Sequence, residues 1–146
     1  MVVYTTGRRC LHCAVDATDP VEQVREIWAA YTRGGVDALR EVVPADVEWV
    51  PLGLEEHVPP EEFWESWVRR HAEEISVTMH SLEQHGSCVL AHGSLRTFRT
   101  GGFFDVQPSW VYFFRAGRLR RCVGYATREE ALNAINAHHE IGRAHV

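Results

Sequence analysis

The sequence predicts an α+β fold in which helices cover a mainly antiparallel sheet. Apolar residues recur at helical spacing up to about residue 74. From Ile75 onwards they alternate with polar residues, as in a strand with one buried face. Short turns separate the later strands, so neighbouring strands are expected to pair antiparallel. The predicted order is two helices, a strand, a helix, four strands and a final helix. We expect the helices to lie on one side of the sheet.

The first helix has a clear start and a clear end. Asp19 is placed as its N-cap, Pro20 occupies the first helical position, and Glu22 is spaced for a capping box. The apolar residues that follow keep to one helical face. The glycine pair ending at Gly35 is expected to stop this helix before a second, short one over 36–43.

A short strand and a third helix are predicted next. The strand covers Asp46–Val50, with the sequence DVEWV. Pro59 begins the helix because proline is favoured in a first turn, and the helix is expected to run to about Glu74.

Four strands and a capped helix complete the fold. The predicted strands begin at Ile75 and then cover Cys88–Thr100, Phe103–Arg115 and Arg118–Ala126. Pro108 is expected to bend the third of them. Ala116 and Gly117 form the last tight turn. Thr127 and Glu130 are spaced for the capping box of the closing helix.

Composition excludes several classes of function. A chain of 146 residues suits one domain with a sizeable core, and its net charge of −5 disfavours nucleic acid as a partner. All fifteen basic residues are arginine, so lysine-imine chemistry and the usual pyridoxal phosphate anchor are excluded. No signal peptide or membrane-spanning run is recognised, and we expect a cytoplasmic protein without a membrane partner.

Domain boundaries are predicted from the same signals. We expect a flexible leader over 1–18, one domain over 19–138 and a tail over 139–146. The tail contains EIGRAHV, which a common sequencing-adapter DNA also encodes, so it is either native or derived from that adapter. Cys10 and Cys13 form a single CxxC, interpreted as reduced thiols of the leader. Zinc binding is the alternative and would need ligands from elsewhere.

Three segments resemble the SnoaL-like branch of the nuclear transport factor 2-like superfamily. IWAAYTRGGVDALREVVPADVEW is similar to its opening helices and first strand, FFRAGRLRR to its last hairpin, and GYATREEAL to its closing helix. The resemblance covers roughly residues 20–137. It implies a cone-shaped α+β barrel, with a strongly curved, mainly antiparallel sheet wrapped by about four helices around an apolar pocket. It also implies a homodimer.

The catalytic positions of two enzyme groups in this superfamily do not carry over. The resemblance places the carboxylate base of ketosteroid isomerases at Pro51 or Val50, and their oxyanion-hole Tyr and Asp at Ile27 and Trp110. The Asp of limonene-epoxide hydrolases falls at Gly124. Neither mechanism is therefore expected.

An aromatic pocket wall is predicted instead. Its expected ligand-binding residues are Trp28, Tyr31, Trp49, Trp64, Trp110 and Tyr112. Trp110 and Tyr112 share one face of a strand, which the resemblance turns towards the cavity. Tyr112 could then donate a hydrogen bond to a ligand carbonyl. The alternative is a core tyrosine bonded to a backbone group.

Two further residues are candidates for acid–base chemistry. His92 could move protons if it faces the pocket. Its alternative is a surface or subunit-interface histidine. Asp105 could orient a histidine, or could merely stand near the start of a strand. His80 alternates with the apolar residues and is expected to face away from them.

The leading functional hypothesis is binding of an apolar, cyclic or polyketide-like carbonyl compound. Any reaction would be cofactor-free isomerisation, dehydration or cyclisation, with His92, Tyr112 and Asp105 as the catalytic candidates. No metal or cofactor is expected. The alternative is a non-catalytic binding or dimerisation module of the same fold.

Overall fold

The computed structural model describes residues 19–52, 62, 75–99 and 101–144. The described elements are α1 (Pro20–Val42), β1 (Glu48–Val50), β2 (Ile75–His85), β3 (Cys88–Arg99), β4 (Gly102–Val106), β5 (Ser109–Arg115), β6 (Arg118–Tyr125) and α2 (Arg128–Ala144). The predicted α+β class is confirmed. The predicted leader, the cysteine pair within it and most of the helix predicted over 59–74 lie outside the described residues, although Glu62 is helical.

The start of α1 has the predicted N-cap, whereas the predicted stop at the glycine pair is a kink within one helix. The Asp19 carboxylate accepts hydrogen bonds from the backbone N–H groups of Val21 and Glu22, at 3.1 and 3.5 Å. Gly35 adopts φ 67° and ψ −151°, which breaks the helical geometry without ending the helical region. Only glycine reaches such angles cheaply. The two predicted helices are therefore the two arms of one kinked helix.

Six strands form one curved and open sheet. Their order is β1-β6-β5-β3-β2, and β4 pairs with β3 beyond the end of β5. Strands joined by short turns are antiparallel, as predicted, whereas β1 pairs parallel to β6. Within the described ranges β1 and β2 form the two ends of this order, so the sheet is not a closed barrel.

The strand predicted over Phe103–Arg115 is two strands in the structure. β4 ends at Val106, β5 begins at Ser109, and Pro108 lies between them. The Pro108 carbonyl accepts a hydrogen bond from the Gly93 N–H at 3.2 Å, although proline itself has no N–H to donate. β3 consequently pairs with β5 along one half and with β4 along the other.

A β-bulge at His80 bends β2 against β3. Met79 is opposite Gly93 and Ser81 is opposite His92, so His80 is the extra residue. A side chain at Gly93 would collide with the backbone carbonyl of Thr78. The bulge therefore requires glycine on the facing strand.

The two described helices pack on opposite faces of the sheet, so the expectation that all helices lie on one side is wrong. On the α1 face the buried cluster comprises Val24, Ile27, Val43, Val47, Trp49, Val89, Ala91, Tyr112, Phe114, Leu119 and Cys122. On the α2 face it comprises Val50, Cys88, Leu90, Val111, Phe113, Val123, Ala131 and Ile135. The apolar runs CVLA and WVYFF are buried on both faces, and their lack of alternation is the sequence signal for this.

Two side-chain contacts fix the start of α2. The Thr127 hydroxyl accepts a hydrogen bond from the Glu130 N–H at 3.1 Å, as the predicted N-cap. The Arg128 guanidinium donates two hydrogen bonds to Glu83 on β2, at 2.7 and 2.8 Å. No helix in the described ranges is long and apolar enough to cross a bilayer.

Candidate ligand-binding site

Three partly buried aromatic side chains line the α1 face beyond its buried core. We call Trp28, Tyr31 and Trp110 the aromatic wall. The ring centroids of Trp28 and Trp110 are 5.4 Å apart at 60°, and those of Trp28 and Tyr31 are 6.4 Å apart at 83°. All three pack against the buried cluster without being fully covered. Part of their aromatic surface therefore stays uncovered on this face.

Local sequence spacing explains how the aromatic wall forms. Trp28 and Tyr31 are three residues apart on α1, so they stand on the same helical face. Trp110 projects from β5 directly opposite Ala91 on β3, whose small side chain leaves room for the indole. Helix and strand thus contribute to one surface.

The apolar surface continues along β2 and β3. Val77 is opposite Leu95, and both side chains are partly buried on the α1 face. Met79 packs against the buried cluster beside them. The aromatic wall is therefore one end of a longer apolar surface.

The indole N–H of Trp28 is a buried donor in this surface. Its Nε1 atom is inaccessible to solvent and makes no hydrogen bond in the described part of the chain. The indole N–H lies near the Tyr112 hydroxyl and lowers its pKa, against the larger rise that burial causes. The contact lacks the geometry of a hydrogen bond, so the N–H remains unsatisfied. A buried donor of this kind costs about 1–3 kcal/mol unless an acceptor reaches it.

Tyr112 lies beneath the aromatic wall and not at its surface. Its side chain is 3% exposed. Burial raises the pKa of its hydroxyl well above 10, and the neighbouring Cys122 thiol raises it further. Burial likewise raises the pKa of Cys122 to about 12. Tyr112 is therefore a neutral core residue at physiological pH.

His92 lies on the opposite face from Tyr112. Its strand neighbour Ala91 packs on the α1 face, so His92 projects from the α2 face. Its Nδ1 is 3.0 Å from the hydroxyl of Ser109, a fully buried residue opposite it on β5. The structure does not bring His92 and Tyr112 to one site.

Asp105 is paired with an arginine. It accepts two hydrogen bonds from Arg96, at 2.7 and 3.0 Å. This hydrogen bonding holds the pKa of the Asp105 carboxyl below its usual range. The pair lies on the α2 face, as does His92 further along β3. Asp105 is therefore not part of the aromatic wall.

The remaining residues considered from the sequence are Trp49, Trp64 and His80. Trp49 is 7% exposed within the buried cluster of the α1 face. Trp64 lies outside the described residues. His80 hydrogen-bonds Ser94 through Nε2 at 2.7 Å, on the α2 face.

The described strands turn no acidic or histidine side chain towards the α1 face, because their register and contacts place each such residue on the α2 face. At Gly124 the space is filled by the chain itself, because an added Cβ would come within 2.9 Å of the Leu52 backbone nitrogen. An acidic side chain would therefore not fit where the epoxide hydrolases place theirs. Sequence reasoning missed the buried N–H of Trp28, since spacing alone cannot show which donors find partners.

Comparison with known proteins agrees with this architecture. A family described as SnoaL-like domain matches residues 24–122. The structure is similar to a nuclear transport factor 2-like protein of Burkholderia thailandensis, with a TM-score of 0.63, 19% identity, and coverage of 80% of this chain and 96% of that one. It is also similar to TerC co-crystallised with polyporic acid, with a TM-score of 0.59, 15% identity, and coverage of 80% and 98%.

A third similar structure is a protein of Pseudomonas putida provisionally named a polyketide cyclase. Its TM-score is 0.59 and its identity 15%, over 75% of this chain and 92% of that one. The TM-scores of these three structures show a shared fold, and at identities of 15% to 19% the likeness is limited to the fold. No curated protein sequence matches the chain. Because the family match spans more than half of the sequence, the chain belongs to the SnoaL-like domain family.

Proposed function

We propose that the protein binds a neutral, cyclic or polyketide-like carbonyl compound against the aromatic wall. The observation that carries this proposal is the partly exposed aromatic surface of the wall, which continues into apolar side chains along β2 and β3. A neutral ring system can pack against such a surface. An apolar site with a few placed polar groups is typical of small-molecule pockets.

The aromatic character of the wall favours a neutral ligand. Trp28, Tyr31 and Trp110 carry no charge, and the described strands turn no carboxylate or imidazole towards the α1 face. A charged ligand packed on the wall would lose its hydration without gaining an ion pair there. A neutral ring system loses little and gains roughly 25 cal/mol for each Å² of apolar surface buried.

The similar structures support the same class of ligand. One of them was crystallised with polyporic acid, and another is provisionally named a polyketide cyclase. Shared fold alone does not carry a ligand from one protein to another. The aromatic wall is this chain's own reason for the proposal.

The test is thermal unfolding of the protein with a panel of cyclic ketones, lactones and aromatic polyketides. Each compound is paired with its carbonyl-free analogue. A ligand at about 100 times its Kd adds roughly 2.7 kcal/mol to the free energy of unfolding, a midpoint shift of about 5–10 °C. Shifts with the ring compounds are expected, and the comparison within each pair measures what the carbonyl contributes. A flat response across the panel would leave the non-catalytic interaction module as the better function.

Cofactor-free proton transfer is the second candidate, as isomerisation, dehydration or cyclisation of the bound carbonyl compound. The provisional cyclase name of the P. putida relative favours it. A catalytic base must come within hydrogen-bond reach of the ligand, and His92 projects from the other face. Should turnover be found, His92→Ala is expected to keep it. Loss of turnover in a folded His92→Ala variant would restore His92 as a catalytic candidate, together with Tyr112 and Asp105.

We further propose that the protein is a cytoplasmic homodimer. The support is a part of the α2 face that helix α2 leaves uncovered, from His92 on β3 towards the β3–β4 hairpin. Sheet faces of this kind are common contact surfaces between subunits. Sedimentation velocity of the purified chain tests the assembly directly.

A further inference from the structure

We propose that the β5–β6 hairpin binds a protein that presents a group of exposed carboxylates. This surface is separate from the aromatic wall, and its partner does not depend on the ligand proposed there. The contacts would come from four arginine side chains within seven residues, which we call the arginine patch: Arg115, Arg118, Arg120 and Arg121. All four are exposed. Grouped arginines suit carboxylates because the planar guanidinium can donate two parallel hydrogen bonds to one carboxylate.

The sheet sets two of these arginines directly opposite each other. Phe114 and Leu119 are paired across the hairpin and belong to the buried cluster of the α1 face. Their strand neighbours Arg115 and Arg118 are also paired, and so both project from the α2 face. Like charges in directly opposed positions destabilise a hairpin. A residue choice that opposes local stability is expected where a surface has a function.

The other two arginines extend the same surface. Arg120 is the extra residue of a β-bulge on β6. It hydrogen-bonds Asp46 at 3.3 Å, and Arg118 bonds the same carboxylate at 2.8 Å. Arg121 lies 3.7 Å from the carboxylate of Glu48, to which it is paired across β1 and β6. The arginine patch therefore lies beside the chain that leads into β1.

The hairpin is held in place before a partner binds. Gln23 of α1 donates a hydrogen bond from Nε2 to the Gly117 carbonyl at 2.9 Å, which ties the turn to the helix. The Arg121 guanidinium lies 5.8 Å from the centroid of the Phe113 ring. Asp46 accepts one hydrogen bond from each of two guanidinium groups, which leaves their other N–H donors for a partner. Docking would therefore order few side chains that are not already positioned.

The balance of charge favours an acidic protein over a nucleic acid. Four positive charges stand beside two carboxylates, on a chain whose net charge is −5. A nucleic acid gains affinity when many of its phosphates are neutralised, and beyond the patch it would meet an acidic chain. A protein can place carboxylates on the arginines and a basic side chain on Asp46 or Glu48. Matched charges of both signs also orient the docked partner.

The size of the arginine patch indicates a transient complex. Four side chains provide much less than the roughly 800 Å² that each partner contributes to a standard interface. The attraction between exposed charges is also screened by salt. We therefore expect fast association and an affinity that falls steeply as the ionic strength rises.

The probe for the test is a labelled helical peptide of about 20 residues with glutamates along one face. The same peptide with glutamine in place of glutamate is the control. Fluorescence anisotropy with the full chain should show binding of the glutamate peptide only. Amide NMR shifts during the titration should fall within residues 115–121 and around Asp46. Absence of binding at low salt, or shifts confined to another surface, would overturn the proposal. Tighter binding of an oligonucleotide of equal charge would overturn the choice of a protein partner.

Arg115→Gln separates binding from folding. Arg115 makes no ion pair with another described residue, and its replacement ends the opposition to Arg118. The variant should bind the glutamate peptide about fivefold more weakly, with a thermal midpoint that is unchanged or higher. Arg33→Gln is the matched control, because it removes the same charge from an exposed position on α1. Equal losses in the two variants would show that net charge alone attracts the peptide, and would overturn the site. Thermal shifts with ring compounds should be the same in both variants and the wild type.

Discussion

Tyr112 and His92 lie on opposite faces of one sheet. Tyr112 is buried on the α1 face beneath Trp28, whereas His92 projects from the α2 face and hydrogen-bonds Ser109. A general base and a carbonyl-binding donor must meet at one ligand. The chemistry of this fold is therefore best sought on the α1 face, where the described side chains favour binding over proton transfer.

Trp28→Ala should reduce affinity for ring ligands about tenfold, whether or not they carry a carbonyl. The change removes one of the two indole rings of the aromatic wall, and a loss of about 1.4 kcal/mol lies within the range of a single aromatic contact. Titration calorimetry with the paired ligands measures the affinities. Tyr112→Phe is the matched control: its hydroxyl lies under the wall, so ligand affinity should hold. Unchanged affinity in a folded Trp28→Ala variant would show that the ligand does not contact the wall.

Gly93→Ala should lower the free energy of unfolding by about 1–3 kcal/mol, as overpacked sites do. The added methyl group would collide with the Thr78 carbonyl at the His80 bulge, and a backbone atom cannot rotate away. Chemical denaturation measures the loss. Ser94→Ala, at the next and partly exposed position, should change stability much less. An unchanged midpoint for Gly93→Ala would mean that β2 can move freely at the bulge.

Ala116→Gly should stabilise the protein by up to about 1 kcal/mol. Ala116 has φ 53° and Gly117 has φ 77°, the positive values that a two-residue hairpin turn requires. Glycine adopts this conformation without the steric cost that alanine bears. The opposite change, Gly117→Ala, should destabilise the same turn. Denaturation midpoints that move in the same direction for both variants would contradict this account.

Glu83→Gln should remove part of the stability that the protein has at neutral pH, and progressively less as the pH falls below the ordinary pKa of a glutamate. Arg128, bonded to Glu83, holds the pKa of that carboxyl below its ordinary value. A carboxyl whose pKa is lower in the folded state stabilises the fold above its unfolded pKa. That contribution is lost as the pH falls through the folded pKa. Free energies of unfolding at several pH values measure the effect.

Arg128→Gln provides the matched variant for this pair. It should show the same pH-dependent loss as Glu83→Gln, and the double variant should lose no more than either alone. Additive losses would indicate that the two side chains act through different partners. Because both side chains are more than a third exposed, we expect high salt to weaken the effect.

Local sequence signals determined most of the secondary structure. Asp19 and Thr127 were recognisable as N-caps because a capping side chain bonds backbone groups only two or three residues away. The turn at Ala116 was visible because its neighbour is glycine. The family resemblance added the curved sheet. Each of these features depends on interactions between residues close in sequence, or on a pattern shared by the whole fold.

Tertiary structure alone decided the two faces of the sheet and hence the site. The runs around Leu90 and Tyr112 are apolar at consecutive positions, so alternation could not indicate which residues face α1. Nor could spacing show that Pro108 splits one predicted strand, or that Trp28 has a buried N–H without an acceptor. The face on which a side chain lies depends on which helix packs against each side of the sheet. Only contacts between residues far apart in the chain decide that packing.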